Sequence, residues 1–168
     1  MKKIKILKYL VDFIWIITAP IGVPLILLCI PAIFFYDFTD LNIEIHGIEL
    51  VVQDLYSKIL IVVFLFNFLL VIYSLHLFRK SLTYFLKAKI FDTVVIHSFG
   101  KTGNLLLLSG VISVILSIIS SLYFESKMTL EFGLNSHLTT IGLGLFFMVL
   151  SEVFQIAKTA KTENDLTI

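Results

Sequence analysis

The stretch ILIVVFLFNFLLVIYSLHLFRK, residues 59–80, decides how this chain folds. From Ile59 to Phe78 it contains no Asp, Glu, Lys or Arg, and at about 1.5 Å per residue it can cross the roughly 30 Å of hydrocarbon in a bilayer. Hydrocarbon offers no partner to a free amide or carbonyl, so such a run must be helical. It closes on Arg79 and Lys80, the cations expected at the cytoplasmic edge of a membrane helix.

Three further apolar runs lie on either side: Phe13 to Tyr36, Leu105 to Phe124 and Leu138 to Ala157. The expected fold is an all-α membrane protein, one domain over residues 1–168, with four transmembrane helices at about 13–36, 59–78, 105–124 and 138–157. Composition agrees, because 58% hydrophobic residues, 16 Phe and a mean hydropathy of +1.01 exceed what a soluble core of this size can bury. The first run is too long for the core of a secretory signal and lacks an A-x-A-like site, so it is expected to remain as a helix. Residues 1–12, which mix Lys with Ile, Leu and Tyr, suit a helical turn or two at the inner interface. Cys29 is the single cysteine, which excludes an intramolecular disulfide.

The basic residues give the orientation. Lys2, Lys3, Lys5, Lys8, Arg79, Lys80, Lys87, Lys89, Lys101, Lys158 and Lys161 flank one side, and only Lys58 and Lys127 the other. This bias predicts cytoplasmic termini and a cytoplasmic 79–104 connection, on a basic face that would favour anionic inner-leaflet lipids. The opposite side carries Asp37, Asp40, Glu44, Glu49, Asp54, Glu125 and Glu131. There LNIEIHGIELVV, residues 41–52, alternates apolar and polar on both sides of His46-Gly47, and predicts a small extracytoplasmic β-hairpin cap. MTLEF, residues 128–132, alternates too and could add a third strand.

On the inner side the second helix is expected to continue through Arg79 to Lys89. Asp92 is placed to cap a third helix from about Thr93, with Phe91 and Ile96 as a hydrophobic staple. Gly100 and Gly103 would be weak points in that helix, at up to about 1 kcal/mol each.

Each span carries a small or polar face, the pattern used for close helix packing in lipid. In the third helix Ser109, Ser113, Ser117 and Ser120 recur at three- and four-residue steps, beside Gly103 and Gly110. In the fourth, Thr140, Gly144, Ser151 and Gln155 share a face, and in the second, Asn67 and Ser74 do. Thr18, Gly22 and Cys29 line one face of the first helix, while Pro20, Pro24 and Pro31 fall on the opposite one and should bend it. A compact bundle of four helices is the expectation. The Ser stripe has two explanations: a polar path for a solute, or close packing with the hydroxyls satisfied on carbonyls of their own helix.

Ionisable groups within apolar spans are costly. Glu152 is the candidate carboxylate, and His76 and Asp12 could meet it near the inner interface as a proton relay; against that, Asn67 and Ser74 point away from His76, and snorkelling or a structural pair with a basic residue explains all three. No His, Cys or acid stands at metal-ligand spacing with another, and no nucleophile-elbow or phosphate-loop motif is present. The chain is therefore expected not to be an enzyme, to need no cofactor, and to make no direct contact with nucleic acid.

Two stretches resemble a known family. KAKIFDTVVIHSFGKTG, residues 87–103, and LFFMVLSEVFQIAKTAKTENDLTI, residues 145–168, are similar to the small bacterial four-helix membrane proteins of domain-of-unknown-function family 2975. The C-terminal signature carries Glu152, Phe154, Glu163, Asp165, Leu166, Thr167 and Ile168. The resemblance implies four spans in a bacterial inner membrane. It assigns no activity, cofactor or site, and it suggests a helix-turn-helix regulator as partner, since such genes often neighbour family members.

Two functions from different classes follow. The first is a non-catalytic membrane sensor or anchor that binds a cytoplasmic regulatory protein through Arg79, Lys80, Phe85, Lys87 and Lys89, with Leu82 and Leu86 exposed beside them and Leu166 and Ile168 in the tail. The alternative is a small transporter or channel subunit with a path lined by Ser109, Ser113 and Ser117 and the intramembrane Glu152; Asn67 and His76 are further intramembrane polar candidates. Oligomeric state is not legible in the sequence.

Overall fold

The helix that begins at Lys2 does not end until Phe35. This first helix, α1 (Lys2–Phe35), runs through Pro20, Pro24 and Pro31, all of which are exposed on its outer side. The lysine-rich start is thus helical, as expected, and continuous with the apolar run that follows it. The computed structural model describes residues 2–35, 42–45, 48–51, 54–122 and 136–166. Within them follow strands β1 (Asn42–Ile45) and β2 (Ile48–Val51), then helices α2 (Leu55–Leu86), α3 (Thr93–Ser120) and α4 (Ser136–Leu166). All four helices are long and apolar enough to cross a membrane.

β1 and β2 pair antiparallel, with Asn42 opposite Val51 and Ile45 opposite Ile48. The strand expected at 128–132, the acids Asp37, Asp40, Glu125 and Glu131, and the terminal Ile168 lie outside the described residues.

Successive helices are antiparallel. Asp12 and Gly22 of α1 meet Arg79 and Ile72 of α2, Phe99 and Ser113 of α3 meet Phe78 and Asn67 of α2, and Gly103 and Gly110 of α3 meet Met148 and Ile141 of α4. The core lies among α2, α3 and α4. α1 packs chiefly on α2, and in its most apolar segment only 6% of residues are buried, against 33% for α3. The expected compact four-helix bundle is therefore a three-helix core with α1 at its edge. Small faces permit close packing, but nothing in α1's own sequence chooses how many neighbours it has.

The tightest approach joins α3 to α4. A Cβ on Gly103 would fall 2.7 Å from the Gly144 carbonyl oxygen, and one on Gly144 would fall 2.7 Å from the Leu107 nitrogen. Gly103 is thus a contact between helix backbones and not a weak point of an isolated helix. Gly142, two residues away, faces open space.

At the other end of α3, Asp92 accepts a hydrogen bond from the Val94 amide at 2.9 Å, the cap expected from sequence. The turn before it is closed by Ala88 N–H to Phe85 C=O and Lys89 N–H to Tyr84 C=O, both 3.1 Å. This pair is a Schellman C-cap on α2, with Ala88 at φ 57° in the position that usually holds glycine. The turn rests on aromatic rings. Phe99, 1% exposed, stacks on Phe154 at 5.6 Å and on Phe147 at 5.7 Å, and Phe85 and Phe78 meet it from α2.

Candidate functional site

Two polar assemblies interrupt the apolar packing. The first clasps α1 to α2. The Arg79 guanidinium donates from Nε to Asp12 Oδ1 at 2.5 Å and lies 4.4 Å above the Trp15 ring, so one cation is held by a carboxylate and by an aromatic face. Lys8 Nζ, one turn before Asp12, donates to the same carboxylate at 2.7 Å. Asp12 lies just ahead of the first apolar run. Burial opposes its charge, but hydrogen bonds and attraction from Lys8 and Arg79 outweigh that penalty and hold the carboxyl below its ordinary value of 3.8. His76 extends the clasp, its ring 5.6 Å from Trp15 and 6.5 Å from Tyr73.

The proton relay, the alternative for Asp12, His76 and Glu152, is not assembled, and Asp12 instead has the structural pairing with basic residues set against it. Asp12 is engaged by two cations, His76 by two aromatic rings, and Glu152 is exposed on α4, a helix that packs chiefly on α3. Sequence spacing placed all three at one membrane depth, but depth alone does not bring helices together.

The second assembly is a cavity of about 160 Å³ between α2, α3 and α4, lined by Asn67, Ser109, Ser113, Ser136, His137 and Thr140 among others. Asn67 Nδ2 donates to Ser113 Oγ at 2.8 Å, the contact across helices that the small and polar faces suggested. Asn67 is 5% exposed and its Oδ1 has no partner among the described residues, as is true of Ser57 Oγ. Ser109 is buried at the cavity wall, and Ser117 is half-buried further along the stripe. Elsewhere hydroxyls bond to backbone: Ser81 to its own Leu77 carbonyl, but Ser151 across helices to the Ile96 carbonyl at 2.8 Å. Among the described residues, no three His, Cys, Asp or Glu side chains stand close enough together to hold a metal ion.

The basic end is only partly as expected. Lys80, Lys87 and Lys89 are exposed, whereas Arg79 is committed to the clasp. Leu82, expected on the exposed face, is 2% exposed, and Phe85 packs edge-on against Phe99 and Phe154, with Leu86 half-buried. The aromatic hub captures this side of α2 because Phe78 and Phe85, like Phe147 and Phe154, are seven residues apart and share a helix face. That spacing was the signal for the hub. α4 remains helical through Leu166, so the tail is a helical extension of the last span.

A family described as "Protein of unknown function (DUF2975)" matches residues 17–168. The chain belongs to this family. Its membership and its four apolar helices indicate a multi-pass membrane protein. No curated protein and no solved structure matches the chain.

Proposed function

We propose that this family member is a bacterial inner-membrane protein, both termini in the cytoplasm and the β1–β2 hairpin outside, that anchors or senses through a soluble regulatory partner without catalysing a reaction. The observation that carries this reading is the α2–α3 turn. Its exposed Lys87 and Lys89, with Lys80 on the last turns of α2, stand on a backbone tied by the Schellman bonds and the Asp92 cap. A backbone already ordered has little freedom left to lose when an acidic surface docks, so the ordering cost falls mainly on the lysine side chains and more of the attraction remains as affinity. The helical tail carries Leu166 beyond Lys158 by about 12 Å, within reach of the same partner.

A photo-crosslinker at Lys87 in intact cells should give a soluble protein adduct that disappears when Lys80 and Lys89 are changed to Glu. Adducts to lipid or to a second copy alone would sink the anchor. The orientation is tested separately with Cys29 replaced by Ser: Cys at Asp40 or Lys127 should label from outside, and Cys at Lys87 should not.

The second reading, a transporter or channel subunit, is favoured by the cavity at Asn67 and Ser113. If it holds, Ser113→Cys in the Cys29→Ser background reacts with a small water-soluble thiol reagent. Protection of that thiol in folded protein, with reaction after unfolding, would exclude a hydrated path.

A further inference from the structure

The groove between the inner ends of α3 and α4 has a volume of about 760 Å³, and its polar lining consists of donors and neutral groups. His97, Lys101 and Asn104 contribute from α3, and Gln155 from α4. Gly100 forms part of its floor, where a Cβ would meet Ser151 Oγ at 3.2 Å. No carboxylate lines it, so the single cation, Lys101, is not neutralised within the groove. Glu152 follows Ser151 but is not part of the lining.

The α3 face above the groove changes character in a regular way. At 100° per residue, His97, Lys101, Asn104, Leu108, Val111 and Ile115 fall within about 40° of one line along the helix. All six are exposed, with Leu108 at 49%, Val111 at 39% and Ile115 at 50%. The polar half of this line ends where the apolar run of α3 begins, at Leu105. A ligand lying along it would meet a cation and amide donors at one end and a bare hydrocarbon ridge at the other.

We propose that this groove binds the phosphate headgroup of an anionic phospholipid, with Lys101, Asn104 and Gln155 on the headgroup and an acyl chain along Leu108, Val111 and Ile115. Basic pockets between membrane helices on the cytoplasmic side are suited to such headgroups, and the adjoining apolar ridge distinguishes a lipid from a free phosphate. The inference rests on the reading of the chain as a membrane protein and is independent of any soluble partner.

The test follows thermal aggregation of the full-length chain in neutral detergent as phosphatidylglycerol, phosphatidylcholine or inorganic phosphate is added. Phosphatidylglycerol should raise the midpoint well beyond phosphatidylcholine at equal concentration, and inorganic phosphate should not. Loss of one well-placed lysine weakens attraction to an anionic lipid about fivefold, so Lys101→Gln should shift the half-effective phosphatidylglycerol concentration by that factor. Asn104→Leu should shift it in the same direction, and Lys161→Gln, exposed further along α4, should leave it unchanged. Equal effects of the two lipids, an equal effect of inorganic phosphate, or an equal shift from Lys161→Gln would each overturn the site. Alkaline carbonate extraction separates the two claims: release of the chain from membranes defeats the membrane reading, whereas retention without phosphatidylglycerol preference defeats only the lipid site.

Discussion

Gly103 on α3 and Gly144 on α4 stand where two helix backbones touch: a Cβ on the first would lie 2.7 Å from the carbonyl oxygen of the second, and a Cβ on the second 2.9 Å from that of the first. No side chain can yield to relieve a backbone contact. Gly103→Ala should therefore push α3 from α4 and cost about 1–3 kcal/mol, read as a lower midpoint in thermal aggregation. Gly142→Ala, with nothing within 4 Å of the new methyl, should be neutral or stabilising by up to about 1 kcal/mol. Equal effects of the two would mean that the helices do not cross here.

Asn67 and Ser113 give a second test. Ser113→Ala removes the acceptor of the Asn67 amide and should cost about 0.6 kcal/mol, the average for hydrogen bonds between membrane helices, while Ser113→Leu should cost more by forcing the helices apart. In an Asn67→Leu background the penalty of Ser113→Ala should vanish. A penalty that persists unchanged would assign it to packing instead of the bond.

Ala88 adopts a left-handed conformation that disfavours any residue with a Cβ. Ala88→Gly should stabilise the α2–α3 turn by about 1 kcal/mol, because the Schellman bonds remain and the steric cost is removed. A lower midpoint for this variant would contradict the C-cap.

Trp15 is the single tryptophan, so its fluorescence reports the clasp directly. Arg79→Lys loses the planar group that bonds Asp12 and covers the ring, and should change the emission even though charge is retained. In a His76→Phe background, which removes the neighbouring imidazole, the emission should also follow Asp12. Its folded pKa is lowered, so the clasp's contribution is present above the ordinary value of 3.8 and is lost as the pH falls through the lower folded value. A transition between pH 5 and 7 in that background would show that Asp12 is not the controlling group.

The sequence by itself determined what depends on local order along the chain. Four helices followed from run length, the α3 start from Asp92 two residues before the amide it binds, and the outward face of Pro20, Pro24 and Pro31 from 100° steps around one helix. Only the tertiary structure decided which faces meet. Asn67 finding Ser113, Gly103 finding Gly144, and Phe85 turning from a surface candidate into a neighbour of Phe99 each join residues on separate helices. Likewise, Arg79 belongs to Asp12 and Trp15 because α1 settles on α2, leaving Lys80, Lys87 and Lys89 as the exposed cations of the last turns of α2 and the α2–α3 turn. Periodicity specifies a face of a helix, but lipid is as apolar as the side chains it replaces. The choice of partner is therefore left to close contact and hydrogen bonds between helices, which no single helix contains.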